Sequence, residues 1–229
     1  MKKNIYLLFI IFLCFDSAAQ VIDCPDRNQK DYNCGNIEEN ILATIDRKGY
    51  TMNSHFTVSL SSTFSKDSDN RRGAEVTDLC NKVLNDPDFW NALEHYRGYR
   101  YAVFENAQGK REITGAQIIN SLINGNPNDS SRPSKVNIML NIELYGMSIK
   151  TPFESAVAKE IGDGKIYNKK WFFRKSSIAD IGSNWLHEFS HSKGVSHCYY
   201  CHQERDYSIP YVINRIFVEV AQKYLTDRA

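Results

Sequence analysis

The stretch His187-Glu188-Phe189-Ser190-His191-Ser192-Lys193-Gly194-Val195-Ser196-His197 decides how the rest of the chain is read. It has the form HExxHxxGxxH. On a helix, His187 and His191 stand four residues apart, so both imidazoles leave one face and can share one Zn²⁺. Glu188 comes next after His187, near enough to take a proton from a bound water but off the row of ligands. Gly194 can turn left-handed, end the helix and swing the chain back. That turn delivers His197 as a third nitrogen ligand and leaves a fourth position for water, the mark of a catalytic zinc site. A chance match anywhere in the chain has odds on the order of one in 10⁵. The flanking residues agree: Ile181, Trp185, Leu186 and Phe189 supply a buried side, and Ser176 or Ser177 can cap a helix over residues 178–193.

Outward from that helix, the chain alternates elements without repeats or low-complexity tracts. Asn36 can cap a helix over 37–48, with Ile37, Ile41, Leu42 and Ile45 on one face and Gly49 at its end. Residues 55–60 alternate as a strand. Helices are predicted over 74–84 and 87–96, the second opened by Asp86-Pro87. Residues 99–105 read as a strand that turns at 106–109 into a partner. Thr114 caps a short helix through Leu122, closed by Gly125, and 126–134 is a polar loop. Residues 135–144 read as one strand with Val136, Ile138, Leu140 and Ile142 inward. Residues 165–173 are aromatic and β-prone, and a last amphipathic helix is predicted from about Tyr211 to Leu225. The fold class is α+β. Trp90, Trp171 and Trp185 read as packing residues, and His55 and His95 as ordinary strand and helix positions.

The whole chain has 229 residues, 42% hydrophobic and 24% charged, enough for a sizeable core in one domain. Its charge is +1 with no basic block, which argues against nucleic acid as a partner. Lys2 and Lys3 precede an apolar run over 5–15, followed by Ser17-Ala18-Ala19. This reads as a secretory signal cut after Ala19, too short to span a bilayer. Removing 1–19 takes Lys2, Lys3 and Asp16, leaving 26 positive and 26 negative side chains. The expectation is a secreted or periplasmic monomer without a stable membrane anchor, residues 20–229 forming one catalytic domain with lobes over about 36–193 and 194–229. Five cysteines remain after cleavage. An oxidising compartment permits disulfides, and the preferred pairing is Cys24–Cys34 and Cys198–Cys201, with Cys80 buried.

The eleven-residue string resembles the zinc signature of the metzincin clan of metallopeptidases. That resemblance is specific over 187–197 and extends in outline over 135–215. It implies His187, His191 and His197 as zinc ligands and Glu188 as general base. It also implies a mixed sheet with helices, a central active-site helix and a small C-terminal lobe below the cleft. The segment 165–173 resembles the strand that leads into that helix in some bacterial members. Two departures stand out. The clan carries a methionine turn beneath the metal, yet no Met follows Met147, and Ser208-Ile209-Pro210-Tyr211 occupies the place. Tyr211 then has two readings, a group beside the zinc that stabilises the oxyanion or ligates, or the first residue of the last helix. Cys198 after the third histidine matches none of the best-known subfamilies.

Cys198-Tyr199-Tyr200-Cys201-His202 also has the CxxCH form of haem attachment. Its place directly after His197 favours a local disulfide, since haem there would crowd the zinc; a second metal would lack a fourth ligand. Cys24 could reach the zinc as an inhibitory thiolate, against which disulfide pairing is preferred. The functional expectation is an exported zinc metalloendopeptidase acting on protein or peptide, with Zn²⁺ as its cofactor. Substrate would lie along an exposed strand edge in the segment before Lys165. The alternative is a catalytically inactive zinc-site protein that binds peptide or protein partners.

Overall fold

A computed structural model describes residues 40–46, 50–146, 158–160, 164–197 and 205–225. Val136, Ile138, Leu140 and Ile142 are all buried, as their alternation predicts. The strand they lie on, however, changes neighbours at Asn141. Its first part, β4 (Lys135–Leu140), pairs in parallel with β1 (His55–Leu60). Its second part, β5 (Ile142–Tyr145), pairs in parallel with β7 (Ile166–Lys169), and β6 (Ala158–Glu160) runs antiparallel along the far side of β7. At the break, the Asn141 carbonyl accepts the Ile166 N–H at 2.8 Å, and Ser62 Oγ accepts the Ile142 N–H at 2.6 Å. The one strand predicted over 135–144 is therefore two, joined end to end.

A separate antiparallel sheet has the order β3 (Gly109–Glu112), β2 (Val103–Asn106), β8 (Val195–Ser196). The hairpin at 106–109 is as predicted, and the Ala102 carbonyl still accepts the Ile113 N–H at 2.9 Å, but residues 99–101 do not extend its ladder. The Arg100 N–H goes instead to the Tyr207 carbonyl at 3.3 Å, and Tyr101 bridges Ser208.

Seven α-helices are described. The first, α1 (Ile41–Thr44), is one turn capped by Asn40 rather than Asn36, and Ile45 is already extended. Residues 36–39 of the predicted helix lie outside the described residues. Glu219 fastens this turn by accepting the Ile41 and Leu42 N–H groups at 3.0 and 2.8 Å. The next helix, α2 (Asp67–Leu84), begins seven residues before the predicted start. Its first turns look too polar for a helix, but Asp69 is buried against Arg174 in a bidentate pair at 3.0 and 2.6 Å. Helix α3 (Pro87–His95) starts at Pro87 behind an Asp86 cap, and α4 (Gly115–Asn124) has the Thr114 cap and Gly125 end that its sequence predicts.

Residues 165–173 correct the sequence reading. Only β7 is strand, and α5 (Lys170–Lys175) follows as a helix. Tertiary contacts override the β propensity of Trp171 and Phe172: Arg72 donates to the carbonyls of Phe173 and Ser176, and Phe173 is fully buried. Trp171 is 46% exposed, so it is not the packing residue predicted, whereas Trp90 and Trp185 are.

The centre of the molecule is α6 (Ile178–Ser192), packed against α7 (Ile209–Leu225) and α2, with β6 and β7 beside it. The architecture is mixed α+β, as predicted. Among the described residues no helix is long and apolar enough to cross a membrane. Gly182 lets α6 and α7 approach closely, since a Cβ there would lie 2.7 Å from Phe217 Cζ and 3.3 Å from Cys80 Sγ. Phe217 is fully buried and has little room to yield. Gly182→Ala should therefore lose about 1–2 kcal/mol in urea unfolding, because overpacking outweighs the gain of about 1 kcal/mol in helix propensity. A variant more stable than the wild type would contradict this packing.

Candidate metal centre

Helix α6 is prepared at both ends for what it carries. Ser177 and Asp180 form a capping box, with the Asp180 N–H donating to Ser177 Oγ at 3.0 Å. At the other end, the Gly194 N–H donates to the His191 carbonyl at 2.9 Å, and Gly194 adopts φ +78°, which a side chain would resist. A Cβ there would also lie 2.5 Å from Phe104 Cε2 and 3.0 Å from the Glu105 carbonyl. The chain then reverses into β8, which pairs with Val103 and Phe104 of β2, and His197 follows at once. Glycine at 194 thus serves both the turn and the close approach to β2.

The reversal brings His187, His191 and His197 together. One nitrogen from each lies within 4.8 Å of the others, a cluster small enough for a single ion to draw in. Ring centroids are 5.0 Å apart for His187 and His191, 4.9 Å for His191 and His197, and 5.8 Å for His187 and His197. His187 and His197 are buried, and His191 is half-buried. The Val195 carbonyl lies 2.9 Å from His191 Nδ1. A carbonyl can only accept, so Nδ1 carries the proton and Nε2 offers its lone pair. That Nε2 is buried with no hydrogen-bond partner among the described residues. A buried lone pair of this kind calls for a donor or a cation.

Electrostatics favour the ligating form. Burial holds His187 well below the ordinary histidine range, with the neighbouring His191 and His197 adding to the effect. Burial lowers His191 to about 4 and His197 to about 3. All three are neutral near pH 7, as metal ligands must be. The residues present therefore fit a divalent cation held by three imidazoles.

The other predicted site residues fall as follows. Glu188 is fully buried on α6. Tyr211 sits in the first turn of α7, and its ring stands edge-on to His187 at 4.8 Å and lies 5.7 Å from His197. The last helix starts two residues before the predicted Tyr211, with Pro210 in its first turn. Cys198, Cys201 and His202, like Cys24, Cys34 and the predicted signal over 1–19, lie outside the described residues. Cys80 is buried, as predicted, and burial pushes its thiol up to about 12.

Sequence reasoning missed Arg205. It opens a 3₁₀ turn (Arg205–Tyr207), is buried, and places its guanidinium 5.2 Å over the Tyr211 ring. Nothing in its spacing marks it, because an Arg-Asp pair after a loop reads as solvated surface. A groove of about 280 Å³ lined by Met139, Asn141, Gly164, Phe189 and Lys193 lies elsewhere. Phe189 and Lys193 leave α6 on the side opposite His187 and His191, so this groove is not the metal cleft.

Compared with protein-family models, with curated proteins and with solved structures, the chain matches none. The site is read from its own geometry.

The buried imidazoles predict a pH dependence. Each protonates near 6.5 when the chain unfolds but resists protonation when folded, so the unfolded state binds more protons as pH falls below that value. Stability of the metal-free protein should drop from about pH 6.5 downward, by about 1.4 kcal/mol per pH unit for each histidine. Urea unfolding of chelator-treated protein between pH 7.5 and 4.5 measures this, and His197→Asn should flatten the slope. A flat wild-type profile would contradict the burial.

Proposed function

We propose that this protein is an exported zinc-dependent endopeptidase of the kind its HExxHxxGxxH string resembles. The observation that carries the reading is the convergence of His187, His191 and His197, two from one helix and one from the turn that follows it. The sheet supports it further. In the sheet of order β5-β7-β6, the antiparallel strand β6 lies beside α6 in the segment before Lys165. Among the described residues β6 has β7 as its one strand neighbour. An extended substrate would pair by backbone hydrogen bonds along this segment.

When bound, Zn²⁺ would acidify a water and polarise the peptide carbonyl. His187, His191 and His197 would hold it through neutral nitrogens. Glu188 takes the proton from the attacking water as the water oxygen bonds to the carbonyl carbon and the carbonyl π pair moves onto oxygen. Glu188 then returns that proton to the amine nitrogen as the C–N bond breaks. Tyr211, whose ring stands edge-on to His187, would donate its hydroxyl to the oxygen that gains charge. Export rests on the basic, apolar and small-residue order of residues 2–19.

Glu188→Gln should bind zinc as the wild type does while losing a factor of about 10²–10⁴ in peptide hydrolysis. Metal content and cleavage of a fluorogenic peptide library, read on the same samples, make the comparison. Full activity in the zinc-loaded variant would remove Glu188 from the mechanism. A zinc-loaded wild type that binds peptides and cuts none would favour the inactive binding protein.

A further inference from the structure

Among the described residues, Arg205 is the charged side chain layered directly onto the ring that borders the three histidines. Its side chain is 7% exposed, and Asp206 pairs with Nε at 3.1 Å from a more open position, 26% exposed. The guanidinium lies 5.2 Å over Tyr211, whose ring contacts His187 at 4.8 Å. Guanidinium, phenol and imidazole thus form a short run of contacts that ends at the three-histidine cluster.

The turn carrying Arg205 is held from several sides. Ser208 donates both its N–H and its hydroxyl to the Arg205 carbonyl, at 2.9 and 2.5 Å. The Tyr207 ring has the guanidinium groups of Arg100 at 4.3 Å and Arg215 at 5.5 Å, and Arg215 donates to Tyr96 Oη at 3.0 Å. The positive charge is therefore fixed in place rather than mobile, the condition under which a charge stabilises a forming anion without reorganisation.

We propose that Arg205, acting through Tyr211, is a positioning residue that stabilises the negative charge developing beside the metal centre, an inference that rests on the three-histidine site reading. This role has a signature that packing alone lacks. A fixed cation near the centre repels a metal ion and attracts an anion, so removing it should strengthen the first interaction and weaken the second.

The test uses Co²⁺-loaded full-length mature protein and azide as the anionic probe, read by visible absorption. Arg205→Met should keep Co²⁺ at least as tightly as the wild type but bind azide about tenfold more weakly. Arg205→Lys, which keeps the charge, should stay within about threefold of the wild type for azide. Azide binding by Arg205→Met equal to that of the wild type would overturn the proposal. Loss of Co²⁺ from Arg205→Met would do so too, by making Arg205 a structural prop. A wild type that takes up no Co²⁺ would bring down the metal-site reading and this proposal together. A wild type with the predicted azide dependence but no cleavage of any peptide would sink the endopeptidase reading and leave Arg205 in its role.

Discussion

The hydrogen bond from His191 Nδ1 to the Val195 carbonyl joins the two halves of the site. It spans the Gly194 turn, so the residue that ends the helix and the residue that fixes the ligand tautomer belong to one short loop. If that loop opened, Nδ1 would lose its acceptor, β8 would leave β2, and His197 would no longer follow from a strand pinned to Phe104. Two histidines on a helix face are common enough. What makes this centre is the return of the chain, and that return depends on a backbone conformation only glycine adopts without strain.

Much of this was legible in the sequence because the motif encodes local geometry. The i, i+4 spacing, the Ser177 cap, the Gly194 turn and the position of His197 all follow from helix and turn rules acting within some twenty residues. Burial of Val136, Ile138, Leu140 and Ile142 was equally legible from alternation. Features set by distant partners were not. The break at Asn141 comes from a change of strand neighbour, α5 from Arg72 reaching across from α2 and from Arg174 pairing back to Asp69, and the early start of α2 from burial of Asp69. Arg205 belongs to the same class, since its importance lies in what stands 5.2 Å away and not in its sequence neighbours.

The surroundings of the three imidazoles fit a site built for a cation rather than a histidine cluster packed for its own sake. Burial keeps all three rings neutral, and a dry setting makes their lone pairs costly to leave unused. Where a methionine turn would lie beneath the metal in the clan that the motif resembles, this chain sets Pro210 and Tyr211 at the start of α7, with Arg205 behind them. The same turn brings Tyr207 within 4.3 Å of the Arg100 guanidinium and 5.5 Å of that of Arg215.

The central claim is that these three histidines hold one metal ion. Metal content of the purified mature protein, residues 20–229, tests it most directly, with His191→Ala prepared in parallel. The account predicts about one zinc per chain in the wild type and its loss in the variant. A wild type that holds no zinc even after the metal is supplied, at a pH where the imidazoles are neutral, would contradict it.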